Sequence, residues 1–518
     1  MDEEKEAMYT AGDSYGTIND QKQKPIPDGP QEPRDFQLIS VPQAAPAFSL
    51  RKLWAFTGPG FLMSIAYLDP GNIESDLQAG SLAQYQLLWV LFWCTLCGLV
   101  IQLLAAKLGV VTGQHLAQVC RKEYALLPRL GLWIAMELAI IGADIQEVIG
   151  SALALNIISQ GTLPLWMGCL VTAIDTFTFL FLESYGLRYL EGFFGFLIMM
   201  MVGMFGWMYI AVKPVQAEVA KGVFLARVPS NALEQALGVV GAVIMPHNLY
   251  LHSGLVLSRD ISREDKTQIK EGIKYNSIES AIALLVSFII NMFVLCVFGA
   301  TVYSTNLASY PEELQTLCAP DQISLLNAHQ CLYYAFGQKQ WIIYIWALGL
   351  LAGGQSSTMT GTYAGQFVME GFLDIKWAKW KRVLLTRSIA IVPCVIIAIA
   401  AHSRLDALSE WINVEQSLLL PFSLIPILQV TSSRKIMGDF TNSWFWIGLA
   451  WFIGVILLSI NIYFVIDYLI LQGPWFQHVI AGVGLTIYVS LLLFYFLYPL
   501  ITAAVKKYRG QMDSPLNY

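Results

Sequence analysis

Residues 62–74 read Leu62-Met63-Ser64-Ile65-Ala66-Tyr67-Leu68-Asp69-Pro70-Gly71-Asn72-Ile73-Glu74. An apolar run reaches Leu68 and then meets a carboxylate, a proline and a glycine. Pro70 has no amide hydrogen and clashes with the preceding turn, and Gly71 adds backbone freedom. The spacing predicts a helix that unwinds at this point. If the run lies in a bilayer, the freed carbonyls must face protein, water or an ion. Asp69 and Asn72 flank the break as oxygen donors.

The surrounding chain says that the run does lie in a bilayer. Of 518 residues, 56% are hydrophobic and only 13% charged, whereas a soluble domain carries roughly 25% charged residues. A helix crossing a bilayer needs about 20 apolar residues. Twelve stretches qualify, at approximately 53–79, 86–109, 130–158, 163–182, 190–212, 234–257, 276–302, 341–372, 383–401, 410–431, 443–466 and 477–502. The N-terminal tail, alternate loops and the C-terminal tail together hold 24 Lys and Arg, against 5 on the other side. Positive residues mark the cytoplasmic face, so both termini are expected there. The first 50 residues are polar and proline-rich and read as a disordered tail without a cleavable signal peptide.

The sixth stretch repeats the pattern of the first. It reads Gly241-Ala242-Val243-Ile244-Met245-Pro246-His247-Asn248, so a proline again interrupts an apolar helix and donor side chains flank it. Each break lies in the first helix of a five-helix half, about 51–212 and about 234–431. Five spans per half make the halves inverted with respect to each other. Paired breaks in corresponding positions point to a central transport site. The expected architecture is an all-α integral membrane protein with two inverted five-helix repeats. A domain over 51–502 adds two extra helices within 443–502, and a tail follows over 503–518. The plain alternative for each proline is a packing kink. An Asp near the bilayer centre costs roughly 2.5–3.5 kcal/mol to insert and argues for function.

The donors narrow the cargo. Asp69 offers an anionic oxygen, Asn72 a neutral one, the unwound backbone near Ala66 and Ala242 carbonyls, and Met245 a thioether sulfur. Na⁺, Mg²⁺ or Ca²⁺ sites use oxygen alone, and sulfur favours softer metals. The mixture suggests a borderline first-row ion held with modest affinity. Met245 as simple core filling is the alternative. Acidic groups for protons stand nearby. Glu137, Asp144 and Glu147 interrupt the third stretch, with Asp144 and Glu147 on one helix face. His247 titrates near neutrality when unperturbed. Arg387, inside the ninth stretch, should have an acidic partner on the third. A chain of such groups reads as a proton relay, or else as static ion pairs. His252 lies five residues after His247 and off its helical face. In the tenth stretch, Gln416 is a candidate to complete metal coordination and Glu415 adds a carboxylate. Small residues from Gly353 to Thr362 suit close helix packing.

Eight cysteines occur without a CxxC pattern, which excludes zinc-ribbon and dithiol redox motifs. Cys318 and Cys331 share a polar loop and can form a disulfide if it faces an oxidising compartment. His115, His329, His402 and His478 fall in loops or at span ends. A net charge of −6 suggests no nucleic-acid partner. No nucleophile–base set or cofactor fingerprint suggests an enzyme.

These residues resemble the Nramp family of proton-coupled divalent metal transporters, animal type. The resemblance runs from about residue 48 to 500. It rests on Asp69-Pro70-Gly71-Asn72, Ala242-x-x-Met245-Pro246-His247, Gln355 to Tyr363, Thr386-Arg387-Ser388 and Gln416-Ser417-Leu418. It implies a LeuT-type fold. It implies metal ligands at Asp69, Asn72, Met245 and the Ala242 carbonyl, joined in some conformations by Ala66 and Gln416. It implies proton movement through Asp69, His247, Asp144 and Glu147, with Arg259 and Arg387 further along; His252, read from its position alone, either sits lower on that route or simply packs. The implied function is import of Fe²⁺, Mn²⁺ and similar ions (Co²⁺, Cd²⁺, Zn²⁺) with H⁺, by a monomer in the lipid bilayer and without a permanent cofactor. Glu415 departs from the expected pattern, in which that place is usually apolar. Tyr15-Gly16-Thr17-Ile18 resembles a tyrosine-based signal for an endocytic adaptor, which implies the plasma membrane, endosomes or lysosomes. An organic-solute symporter on the same fold and a metal-binding receptor without transport are the competing readings.

Overall fold

A computed structural model describes residues 38–42, 48–184, 186–303, 311–375, 379–400, 405–465 and 475–512. All belong to one unit, Leu38–Tyr518, and Tyr15–Ile18 lie outside the described residues. The first half contains α1 (Leu50–Phe56), α2 (Pro59–Ile65), α3 (Pro70–Ala83), α4 (Leu88–Thr112), α5 (Leu116–Glu123), α6 (Leu126–Ile158), α7 (Leu165–Ser184), α8 (Leu187–Val212) and α9 (Gln216–Phe224). The second contains α10 (Leu233–Val243), α11 (His247–Leu255), α12 (Lys266–Thr301), α13 (Glu312–Leu317), α14 (Leu325–Ala335), α15 (Gln340–Leu373), α16 (Lys379–Ala400), α17 (Leu405–Leu419) and α18 (Pro421–Ser432). Then follow α19 (Arg434–Met437), α20 (Trp444–Val465) and α21 (Trp475–Met512).

Each of the twelve apolar stretches falls on helix. Among the described residues, seven helices are long and apolar enough to cross a membrane, and three apolar helices are shorter. Two of the other stretches depart from this pattern for a physical reason. The first stretch is cut into α1, α2 and α3, each too short alone, and α15 carries the small and polar run Gly353–Thr362 through its middle.

An apolar core encloses a set of charged side chains, while large apolar side chains cover the exterior, unlike a soluble fold. Asp69, Asp76, Asp144, Glu147, His247, His252, Glu279, Arg259 and Arg387 are buried. Leu170, Phe196, Met199, Val392, Ile396, Phe452, Val455 and Leu493, on α7, α8, α16, α20 and α21, are exposed. Lipid is the solvent that rewards this arrangement.

Glycines let the inner helices close up. A Cβ at Gly353 would lie 2.7 Å from the Leu68 carbonyl oxygen, and one at Gly361 would lie 2.7 Å from Asp144 Oδ1. The small residues of α15 thus bring it against the first break and the acidic face of α6.

Two boundaries differ from the sequence reading. The tail does not extend to residue 50, because Ile39–Ser40 forms a parallel two-residue ladder with Arg259–Asp260. Nearby, the Ser49 amide donates to Tyr275 Oη at 2.9 Å and Lys52 pairs with Glu271 at 2.8 Å. At the other end, α21 continues to Met512 rather than stopping near 502. Its basic last turns extend a helix that the apolar run had started.

Candidate metal and proton site

Both prolines break their helices. α2 ends at Ile65, and the next amides make tight i→i−3 bonds: Tyr67 to Ser64 at 3.1 Å and Leu68 to Ile65 at 2.8 Å. α3 restarts at Pro70, whose missing amide is no loss at a first helical position. α10 ends at Val243 and α11 begins at His247. α3 packs on α10, and α2 packs on α11. The halves therefore run antiparallel, and the two breaks lie at the same level. Two carbonyls of the first break are taken by α12, since Ser287 Oγ donates to Ser64 O at 2.9 Å and Asn291 Nδ2 donates to Tyr67 O at 2.8 Å.

Asp69 caps α3. Its Oδ1 accepts from the Asn72 amide at 2.8 Å and from Asn72 Nδ2 at 2.7 Å. Its Oδ2 is buried without a hydrogen-bond partner among the described residues. One oxygen is fixed by the helix end, and the other is left without a donor. Ala66, Asn72, Ala242, Met245 and Gln416 are buried as well. Gln416 donates its Nε2 to the Ala139 carbonyl at 2.6 Å, while its Oε1 stays unpartnered. His247 Nδ1 is also buried and unpartnered, and the ring faces Gln416. Among the described residues no three His, Cys, Asp or Glu side chains converge as a metal cluster.

A second constellation stands beside the first. Arg387 Nη1 lies 3.3 Å from Asp144 Oδ1 and 3.3 Å from Glu147 Oε2. The same guanidinium donates to the Thr358 carbonyl at 2.7 Å, and Ser357 Oγ donates to Glu147 Oε1 at 2.6 Å. The contact to Asp144 is an ion pair without hydrogen-bond alignment. Glu147 is near enough to Asp69 for their charges to interact, so the two constellations are electrostatically joined. Glu137 is placed elsewhere and accepts from Trp133 Nε1 at 2.9 Å.

His252 and Arg259 form separate groups. His252 reaches Gln102 Oε1 at 3.1 Å and Ser280 Oγ at 3.4 Å. Arg259 pairs with Glu191 at 2.9 Å and donates to Thr57 O at 2.6 Å. Glu279, which sequence reasoning missed, accepts from the amides of Gly58, Gly60 and Phe61 at the start of α2. A carboxylate there complements the helix N-terminus. The signal available for Glu279 was an acidic residue inside the seventh apolar stretch. Cys318 and Cys331 are joined in a disulfide, so the alternative of two free thiols falls away.

A sequence profile described as natural resistance-associated macrophage protein-like matches residues 60–467. The chain belongs to the Nramp family. Members of the Nramp family are transporters and not enzymes, and the fold is that of a multi-pass membrane protein. Natural resistance-associated macrophage protein 2 of Homo sapiens is 49% identical over 510 residues, spanning 93% of this chain and 88% of the relative. Metal transporter nramp1 homolog of Dictyostelium discoideum is 51% identical over 464 residues, spanning 88% and 84%. A mutant of the Eremococcus coleocola manganese transporter superposes with a TM-score of 0.77 at 30% identity, covering 90% of this chain and 98% of its own. A nucleobase-cation-symport-1 family transporter shares the fold at 14% identity, with a TM-score of 0.53.

Proposed function

We propose that this Nramp protein imports divalent transition-metal ions such as Fe²⁺ and Mn²⁺ into the cytoplasm together with protons, by alternating access. The carrying observation is Asp69, which sits at the first of two helix breaks with one carboxylate oxygen tied to Asn72 and the other unpartnered. Asp69, Asn72, Met245 and the carbonyls of Ala66 and Ala242 hold the ion, and Gln416 joins when its bond to Ala139 opens. Met245 supplies the sulfur that selects against Ca²⁺ and Mg²⁺. Protons pass by Asp69, His247, Asp144 and Glu147, with Arg387 holding the two α6 carboxylates and with His252 and Arg259 further along.

The chain crosses the membrane twelve times with both termini in the cytoplasm and works as a monomer. The Lys and Arg asymmetry and the inverted packing of the breaks support this topology. Plasma, endosomal or lysosomal membranes host it, with Tyr15–Ile18 read by an endocytic adaptor. The test is Mn²⁺ and Fe²⁺ flux into proteoliposomes under an inward proton gradient. Acidic exterior pH should accelerate uptake, Asp69→Ala should abolish it, and Met245→Ala should lower the rejection of Ca²⁺ more than it lowers Mn²⁺ flux. Metal flux indifferent to the gradient would defeat the symport, and Ca²⁺ rejection surviving Met245→Ala would defeat the sulfur argument.

A further inference from the structure

Glu415 has no part in the mechanism above, yet the fold places it beside Gln416, a proposed ligand of the cargo. α17 packs on α6, α3 and α10, the helices that carry the acidic face and both breaks. Its register on α6 is set by three contacts. Gln146 Nε2 donates to Ser409 O at 3.0 Å and to Asn413 Oδ1 at 2.8 Å, and Gln416 Nε2 donates to Ala139 O at 2.6 Å. Between them lies Gly142. A Cβ there would stand 2.7 Å from Glu415 Oε2 and 3.1 Å from Gln416 Nε2. The carboxylate and the amide thus converge on one bare Cα. Ile412 Cγ2, at 3.1 Å from the same point, closes the floor. Glu415 is half-buried and has no hydrogen-bond or ion-pair partner among the described residues.

A carboxylate within the membrane domain is expensive unless a cation or donors meet it. No Lys or Arg pairs with this one among the described residues. What passes nearby, under the reading given above, is a dication. Gln416 has a buried Oε1 without a partner, and its one amide bond to Ala139 must open for it to turn. When it turns, the neighbouring carboxylate is the anionic group closest to it on α17.

We propose that Glu415 is a specificity-determining residue of the cargo path: its carboxylate stands with Gln416 at the bare Cα of Gly142 and shifts the preference toward harder divalent cations, Mn²⁺ over Cd²⁺. The chemistry follows from ligand hardness. An added carboxylate raises affinity for oxygen-seeking ions in step with ligand charge. It adds little for an ion held mainly through sulfur. The same oxygen makes this transporter easier to inhibit with Ca²⁺ than it would be with an amide in that place.

This inference rests on the metal-transport reading, and the experiment separates the two. Full-length protein in proteoliposomes is assayed for Mn²⁺ and Cd²⁺ uptake at fixed pH, with Ca²⁺ as competitor. Glu415→Gln should raise KM for Mn²⁺ roughly tenfold while leaving KM for Cd²⁺ within about twofold, and should weaken Ca²⁺ inhibition by a similar factor. Glu415→Asp, which keeps the charge, should stay near the wild type. Glu415→Ala, which removes the carboxylate and leaves Gln416 in place, should shift the Mn²⁺/Cd²⁺ ratio in the same direction, and it serves also if Glu415→Gln fails to fold. An unchanged KM ratio in Glu415→Gln and Glu415→Ala overturns the proposal, as does an equal loss for both metals. Wild-type vesicles that move neither metal would defeat the underlying function instead.

Discussion

Gly71 is needed for space rather than for dihedral freedom, and that distinction can be measured. A Cβ at Gly71 would lie 2.6 Å from Gln146 Oε1 and 2.8 Å from both Cδ and Nε2. The whole carboxamide is in the way, and it is not free to yield. Its Nε2 is held by Ser409 O at 3.0 Å and Asn413 Oδ1 at 2.8 Å. Gly71→Ala therefore forces Gln146 off α17. Breaking that anchorage in a buried setting costs about 2–4 kcal/mol. Ala is the better helix former, which recovers at most about 1 kcal/mol. The net loss should be about 1–3 kcal/mol. Gln146→Ala alone sacrifices the same two bonds. If the clash is the cause, the double variant Gly71→Ala/Gln146→Ala should be no less stable than Gln146→Ala, a coupling of about 1–3 kcal/mol. Denaturation of the three variants in mixed micelles measures this cycle, and Mn²⁺ flux reports whether the break still works. Costs that add within about 0.5 kcal/mol, as for independent sites, would refute the steric account.

Arg387→Met should cost about 3–5 kcal/mol, because it leaves Asp144 and Glu147 buried and facing each other. Adding Asp144→Asn should recover part of the loss, read by thermal denaturation in detergent. Cys318→Ser should lower stability by about 3 kcal/mol, the loop-closure value for a ring of this size, given the sequence separation of 13. A reducing agent should lower the wild-type melting temperature and leave the variant unchanged. His115, between the second and third apolar stretches, is pushed by burial from 6.5 down to about 3, with its ring 5.2 Å from that of Phe367. The unfolded chain then takes up a proton below pH 6.5 that the folded chain refuses. Stability should be unaffected above pH 7 and should fall by about 1.4 kcal/mol per unit as pH drops from 6.5 toward 3. His115→Gln should flatten that share of the slope in melting curves at pH 5 and 7.

What could be read in advance was whatever has a local cause. Pro70 and Pro246 break helices through their own rings, so both breaks were legible, and so was a guanidinium in the ninth stretch that must seek a carboxylate. What could not be read depends on which helix faces which. Asn291 and Ser287 look like ordinary polar residues on α12 until the first break is laid beside them and offers the carbonyls of Tyr67 and Ser64. Glu279 carries no local mark of a cap, because the amides it accepts are more than 200 residues away. The ladder Ile39–Ser40 is two residues long and leaves no period-2 pattern to set it apart from the tail. Gly142 was silent for the same reason: a glycine shows what it admits only when the opposing helix is in place.

The construction of the first break says why binding and movement belong together. α2 is anchored at its start by Glu279, while Arg188 and Arg259 both donate to the carbonyl of Thr57 just before it. α3 is anchored at Asp69 by its own cap. Between them the chain makes only i→i−3 bonds, together with two side-chain bonds from α12. α2 can pivot on that joint without unzipping a helical ladder, at the cost of releasing Ser287 and Asn291, about 1 kcal/mol each. The joint ends on Asp69, the residue proposed above as the ion's carboxylate ligand. A cation bound at Asp69 Oδ2 acts directly on the hinge, so its charge can bias the pivot without a relay through the rest of the fold. A proton on the same oxygen does so with half the charge. Under the proposed reading, two cargoes that share one hinge residue would be coupled, since each would alter the position from which the other must bind.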